Sequence, residues 1–195
     1  MWFTSKGLRK PKSARHNGKR VSEILDAHLR FFRREPDGAR ADLSGANLSR
    51  VDLAGVNLTE AILTGADLQE ADLRGAKLTR ADLTRANLRR ADMRNTDMTD
   101  AVLPGADLTQ SQASGVEFFR CDMSGVIFHG TNLRNANFRG ANIRGAQFAG
   151  ADMNVTILRE TDLSGVDLSG VDLSTTLMPR KHNPDLQKKS STAPD

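Results

Sequence analysis

Residues 66–90 read ADLQE ADLRG AKLTR ADLTR ANLRR, which is five pentapeptides in one register. The same period runs from residue 41 to residue 175 without an insertion or deletion, giving 27 repeats. The third residue of each pentapeptide, here called the centre, is Leu, Met, Ile or Phe except at Ala113. The first residue is small throughout, with Ser111 and Cys121 as the unusual types. Both positions are expected to face a narrow core, because this pattern fits neither a helix nor a long strand.

The other three positions are polar and predict a corner in every repeat. The second residue is Asp or Asn in 19 of the 27 repeats, and the last residue is Gly in 13. Gly suits a type II turn, which needs positive φ, whereas Arg50 or Glu60 in the last place suggests a turn with ordinary dihedral angles. One corner per repeat closes a coil after four repeats. The period therefore predicts a square prism of about seven 20-residue coils, roughly 32 Å long at about 4.8 Å per coil.

Residues 20 apart share a wall of this predicted prism, so the phenylalanine centres can be placed relative to each other. Phe118 is expected to stack on Phe138, and Phe128 on Phe148, on opposite walls. The four rings should form one aromatic segment of the core.

A column of aspartates is expected on another wall. Asp52, Asp72 and Asp92 lie 20 residues apart, and each neighbouring pair would repel by roughly 0.9 kcal/mol in water. Arg74 and Arg94, each two residues after an aspartate of this column, can offset the repulsion. The column is therefore interpreted as a charge-compensated surface.

The pattern A(D/N)LXX, seen here as ADLSG, ANLSR, ADLQE, ADLRG and ANLRR, resembles the pentapeptide-repeat family. The repeats that carry the resemblance run from residue 41 to residue 175 and make up most of the chain. The resemblance implies an all-β fold, the right-handed quadrilateral β-helix, here with an N-terminal capping helix. It says far less about function, because the fold is a shared scaffold rather than a reaction.

Residues 21–40 predict a capping helix and a turn before the repeats. Apolar residues recur there at the spacing of one helical face, with Ser22 as a candidate N-cap and with Pro36 and Gly38 ending the helix. This face is expected to cover the open N-terminal end of the coils. It comprises Ile24, Leu25, His28, Leu29 and Phe32.

Both tails, residues 1–20 and 180–195, are expected to be disordered. Residues 1–20 form a basic leader, and residues 176–195 a C-terminal end segment and tail. The net charge is +7 over residues 1–40, −5 over the repeats and +2 over residues 176–195. The chain has neither a 20-residue apolar stretch nor a signal peptide, and one cysteine excludes an internal disulfide. These features favour a cytoplasmic protein. The segment ILDAHLRFFRREPDGARADLSGANL, residues 24–48, resembles the leader of some bacterial family members.

No catalytic, metal-binding or cofactor-binding pattern is found in the sequence. The histidines His16, His28, His129 and His182 are scattered, without metal-ligand spacing to another His or Cys. There is no phosphate loop, nucleophile elbow or zinc-protease motif. The sequence thus predicts a protein that is not an enzyme and holds no cofactor.

The first functional hypothesis is a non-catalytic, rod-shaped scaffold that binds another protein through its outer faces. Apolar residues at outward positions are the candidate contacts. They are Ile62, Val102, Phe119, Ile127 and Ile157. A homodimer through the C-terminal coil, as in some family members, is a further expectation.

The second hypothesis comes from the resemblance: some family members mimic DNA and protect gyrase, a type II topoisomerase. A basic surface crosses the middle of this rod, which disfavours mimicry of a negative duplex. It comprises Arg74, Lys77, Arg80, Arg85, Arg89, Arg90 and Arg94. A third hypothesis is that the basic leader binds nucleic acid or an anionic membrane.

Overall fold

The computed structural model describes residues 7–179 of the chain. Ahead of the repeats, Pro11–Ser13 forms a 3₁₀ turn, strands β1 (Arg15–His16) and β2 (Lys19–Arg20) form a hairpin, and helix α1 spans Val21–Arg33. No helix among residues 7–179 has the length and apolar character needed to cross a membrane.

The repeats stack as coils of four pentapeptides. Parallel bridges join second residues that are 20 apart, such as Asp42 with Ile62 and Asn47 with Asp67. The Leu43 N–H donates to the Ile62 carbonyl at 2.8 Å. The bridges define four columns, called walls 1 to 4, whose first described pentapeptides begin at residues 41, 46, 51 and 56. The spacing of the bridges is the one that the five-residue period predicts.

All corners from residue 45 to residue 170 share one backbone conformation. The Ala46 N–H donates to the Leu43 carbonyl at 3.0 Å, which closes a β-turn. The last residue has positive φ at Gly45 (64°) but also at Arg50 (57°) and Glu60 (60°). The expectation of a second turn type at non-glycine corners is therefore wrong. Each corner stacks on the equivalent corner of the next coil, and this stacking imposes the same left-handed conformation on every corner. The residues other than glycine adopt it at the cost of backbone strain.

First and third residues of the repeats line the core as expected. The phenylalanine stacks are confirmed: the ring centroids of Phe118 and Phe138 are 5.0 Å apart, as are those of Phe128 and Phe148. Phe128 and Phe138 also meet edge to face across the core at 5.7 Å. The two stacks therefore form one aromatic segment.

Polar residues in the first position are buried but bonded. The hydroxyl of Thr131 donates to the Leu108 carbonyl at 2.7 Å, and the Cys121 thiol donates to the Met98 carbonyl at 2.8 Å. Each acceptor is a centre residue of the coil below. The Ser111 hydroxyl is buried without a partner among the described residues.

Helix α1 caps the N-terminal end of the coils through a narrow ridge. Ile24 and Leu25 pack against the core, and His28 is fully buried. The His28 Nδ1 accepts the Ala41 N–H at 3.0 Å, which ties the helix to the first repeat. Phe32 is half-buried and meets the His28 ring edge to face at 5.0 Å.

Leu29 corrects the predicted capping face, because its side chain is 40% exposed. The end of a coil is narrow, so it covers one ridge of the helix and leaves the edge of the apolar face in water. The helix also begins earlier than Ser22 suggests. Arg20 is the N-cap, and its N–H donates to the Glu23 carboxylate at 3.0 Å. After the helix, Gly38 lies so close to it that a Cβ would stand 2.5 Å from the Phe31 nitrogen.

The leader is ordered from residue 7, which corrects the expectation of disorder for that part. Arg9 bridges Val51 on wall 3: its N–H donates to the Arg50 carbonyl at 2.6 Å, and its carbonyl accepts the Asp52 N–H at 2.8 Å. Lys10 pairs with Asp52 at 2.8 Å. The leader thus occupies the free edge that a preceding coil would have covered. Residues 1–6 lie outside the described part of the chain.

The C-terminal coil is joined less completely than the others. Walls 2 and 4 keep bridges there, Gln147 with Asp167 and Ile157 with Leu177, whereas walls 1 and 3 have none to residues 161–175 in the described chain. Leu177 is 41% exposed. The predicted tail falls largely on residues 180–195, which lie outside the described residues.

Candidate interaction surfaces

The second residue of the repeat has a structural role on every wall. The Asp42 Oδ1 accepts the Ser44 N–H at 3.0 Å, and the Asn137 Oδ1 accepts the Arg139 N–H at 3.0 Å. The same bond, from the N–H two residues later, occurs at all 19 Asp and Asn residues in this position. Short polar side chains stabilise turns in this way. The first role of these aspartates is therefore to stabilise the corners.

On wall 3 the predicted compensation of the aspartate column is confirmed. Arg74 binds Asp72 through two nitrogens at 2.8 and 2.6 Å, and Arg94 binds Asp92 in the same way. Arg74 also lies 3.7 Å from the Asp92 carboxylate. The Asp72 and Asp92 side chains are 6% and 1% exposed, so the arginines cover the charge from solvent.

The corner between walls 4 and 1 carries alternating charges along the axis. Glu60 pairs with Arg80 at 2.6 Å, and Asp100 pairs with Arg120 at 2.7 Å. The Arg120 guanidinium also lies 4.8 Å above the Phe119 ring. Charges along this corner are thus compensated between coils rather than within them.

The basic residues between 74 and 94 encircle one coil instead of forming a patch on one wall. Arg89 pairs with Asp107 at 3.0 Å, and Arg90 lies 3.9 Å from Glu70. The residues that stack on Arg85 at the same corner of the two adjacent coils are both glycines. Five of the seven predicted residues pair with a carboxylate. These five are Arg74, Arg80, Arg89, Arg90 and Arg94.

The sequence profile of pentapeptide repeats matches the chain in eight copies, over residues 39–80, 81–118, 117–154 and 136–174. The chain belongs to the pentapeptide-repeat family. Among curated proteins, no sequence is similar enough to match it.

Several solved structures are similar to this pentapeptide-repeat protein. One from the cyanobacterium Cyanothece 51142 shares 32% identity over 50% of this chain, with a TM-score of 0.29, and the match spans 63% of that protein's length. A pentapeptide-repeat protein of the Arabidopsis thaliana thylakoid lumen shares 28% identity over 60% of this chain and 68% of its own, at a TM-score of 0.36. QnrB1, a plasmid-mediated fluoroquinolone resistance protein, shares 19% identity over 79% of this chain and 86% of its own, at a TM-score of 0.35. With TM-scores below 0.5, these likenesses decide nothing about function.

The apolar contact candidates of this pentapeptide-repeat protein are spread over three walls. Ile62 and Val102 lie on wall 1 with Asp82 between them in the column of bridges. Pro104 stands two residues after Val102 and has no N–H for an Asp or Asn to bind. An apolar residue at position 102 therefore costs the corner no hydrogen bond.

The remaining candidates are also separated. Ile127 lies on wall 2, and Ile157 lies on wall 4, where it bridges the exposed Leu177. Phe119 is half-buried beside the corner between walls 4 and 1, under the Arg120 guanidinium. The sequence-predicted residues thus form separate positions rather than one apolar patch.

Proposed function

We propose that this protein is a cytoplasmic, non-catalytic interaction scaffold, built as a right-handed quadrilateral β-helix, which binds another protein through its outer walls. One observation carries the proposal. At Ile62, Ile127 and Ile157 the repeat gives up the turn-stabilising side chain that all 19 Asp and Asn residues supply. A residue that weakens its own corner and leaves apolar surface on a wall is suited to a contact with a partner.

These three isoleucines differ from Val102 in the residue two positions later. That residue is Thr64, His129 or Arg159, and each has an N–H that an Asp or Asn could bind. All three isoleucines are half-buried, so their side chains remain reachable from solvent. A net hydrogen bond contributes about 0.5–1.5 kcal/mol, and each repeat forgoes that stabilisation.

The chemical state of the polar groups supports a non-catalytic role. Burial raises the pKa of the Cys121 thiol to about 12, which keeps the thiol protonated at neutral pH. Hydrogen bonds from the Ser44 hydroxyl and N–H lower the pKa of Asp42 below its ordinary value. The same groups of Ser164 lower the pKa of Asp162. These carboxylates stay ionised at neutral pH and serve the turns, not proton transfer.

The alternative is a DNA mimic that regulates or protects a type II topoisomerase. The net charge of −5 over the repeats favours it. Arginine pairing on wall 3 opposes it, because the Asp72 and Asp92 charges are covered and cannot stand in for exposed phosphates. We therefore rank the scaffold first.

Consensus-restoring variants test the proposal. The triple variant Ile62→Asn, Ile127→Asn and Ile157→Asn should fold, since Asn is a regular residue of this position. Partners captured from native lysate would be compared by quantitative mass spectrometry for the wild type, the Asn triple variant and a matched Ile→Val triple variant. A partner lost with Asn and retained with Val supports the isoleucine surface. Equal capture by all three refutes it, and gyrase or topoisomerase IV subunits held by all three would favour the mimic.

We further propose a homodimer through the C-terminal coil. Leu177 is exposed there, Leu173 and Met178 are partly buried, and the bridges of walls 1 and 3 stop at Asn142 and Asp152 within the described chain. An uncovered strand edge with adjacent apolar side chains is suited to pairing. Sedimentation equilibrium should give the mass of a dimer, and a monomer at micromolar concentration would exclude it.

A further inference from the structure

The hairpin β1–β2 places two arginines opposite one another. Arg15 lies directly across from Arg20, while His16 lies across from Lys19. Opposed like charges destabilise a strand pair, and a two-residue ladder has little hydrogen bonding to offset this. A feature that costs stability in the free protein suggests an anionic ligand that relieves the repulsion when bound.

The hairpin is nevertheless held firmly. Asn17 and Gly18 have φ of 48° and 79°, as a type I′ turn requires. At its base the Val21 N–H donates to the Ala14 carbonyl at 2.9 Å, and both residues are fully buried. The cationic side chains therefore project from a fixed platform that continues into helix α1.

Most basic groups elsewhere in the rod are neutralised by partners, unlike those of the hairpin. Lys10 pairs with Asp52 and Arg80 with Glu60, whereas the hairpin cations have no ion pair within residues 7–179. The Glu23 carboxylate at the hairpin base accepts the main-chain N–H of Arg20. We call four exposed side chains the basic hairpin. They are Lys12, Arg15, Lys19 and Arg20.

We propose that the basic hairpin binds the phosphate backbone of a DNA duplex. A duplex carries about one negative charge per 1.7 Å of its axis, so several phosphates lie within reach of these four long, exposed side chains. A lipid surface fits less well, because the tip of the hairpin is His16, Asn17, Gly18 and Lys19 and offers no apolar side chain for the membrane interface. Contacts with phosphates carry no base information, and binding is expected to be independent of sequence.

The affinity for the duplex should depend steeply on the salt concentration. Four phosphate contacts predict a slope of log affinity against log salt of about −3.6, which is about a 150-fold loss between 50 and 200 mM salt. Removing two cations should leave a slope of about −1.8 and about a 12-fold loss over the same range.

The test uses the full chain and a fluorescent 30-base-pair DNA duplex, with anisotropy measured from 25 to 200 mM NaCl. The variant Lys19→Gln/Arg20→Gln keeps the N–H that donates to Glu23. Its matched control, Arg85→Gln/Arg144→Gln, removes the same charge from two exposed positions of the rod. The slope should become shallower in the hairpin variant, about −1.8 instead of about −3.6, and should keep the wild-type value in the control.

Several results would overturn it. Absence of binding at 25 mM salt, or an equal change of slope in both variants, would show that the hairpin is no DNA site. Polyglutamate that displaces the duplex at a much lower charge concentration than unlabelled duplex requires would indicate an acidic protein as the ligand. Binding to mixed phosphatidylcholine and phosphatidylserine vesicles but not to the duplex would indicate a membrane. Circular dichroism of both variants checks that the fold is kept.

Discussion

Removing Arg74 and Arg94 from wall 3 should destabilise the protein. In the variant Arg74→Ala/Arg94→Ala, Asp72 and Asp92 remain on adjacent coils with their charges uncovered. At about 4.8 Å, the coil spacing, two carboxylates repel by about 0.9 kcal/mol in water and about 3.5 kcal/mol at an effective dielectric constant of 20. The side chains are 6% and 1% exposed beneath the arginines, and removing the arginines admits water, so the repulsion lies between these two values. We expect the free energy of unfolding to fall by about 1–3 kcal/mol, or Tm by roughly 2–12 °C.

The rescue distinguishes charge from lost packing. Adding Asp92→Asn removes one charge, keeps an oxygen for the main-chain N–H of residue 94, and brings an amide that can donate to Asp72. Asn87 donates to Asp67 in this way at 2.9 Å. Urea denaturation followed by circular dichroism should show most of the lost stability restored in the triple variant. A double variant as stable as the wild type, or a triple variant no more stable than the double, would refute the reasoning.

Four further substitutions test other parts of the structure. Burial lowers the pKa of His28, and its Nδ1 must be unprotonated to accept the Ala41 N–H. The unfolded chain then binds more protons below pH 6.5, so the free energy of unfolding should fall from pH 7 to pH 5, and His28→Gln should remove that dependence. Val155 is β-branched, 47% exposed and has a φ of 58°, so Val155→Asn should raise stability by about 1 kcal/mol in urea titrations. The Ser111 hydroxyl is buried without a partner among the described residues, so Ser111→Ala should raise the free energy of unfolding by about 1 kcal/mol. Thr131→Val removes a bonded hydroxyl and should lower the free energy of unfolding. A change of the same sign in both variants would contradict this.

Much of the interior could be predicted from the sequence because one period fixes it. Every centre residue occupies an equivalent place, so residues 20 apart must be neighbours on a wall. The pairing of Phe118 with Phe138 follows from that register alone, and so does the reach of Arg74 to Asp72 and Asp92. In a solenoid each repeat contacts its neighbours, and no long-range arrangement remains to be guessed.

The corners and the N-terminal segment were harder to predict for physical reasons. Preference for Gly in the left-handed region suggested that Arg50 needs another turn, but stacking overrides a local preference of about 1–2 kcal/mol. The basic residues of the leader suggested disorder, although Asn17-Gly18 is a strong hairpin signal in the sequence. Leu29 belongs to the apolar face of the helix by spacing, yet the sequence does not specify how wide a surface the coil end offers.

Acidity in the repeat sequence therefore does not translate directly into an acidic surface. The residue two places after the aspartate decides the outcome, because its N–H is held by the carboxylate and its side chain starts from the same corner. Arginine there covers the charge, as Arg94 covers Asp92. Serine there donates to the carboxylate but brings no positive charge, as Ser164 does for the exposed Asp162. The repeats of the last coil, from residue 161, all have Asp followed by Leu and Ser. The exposed carboxylates of Asp162 and Asp172 are therefore not covered by an arginine of their own corner, unlike those of Asp72 and Asp92.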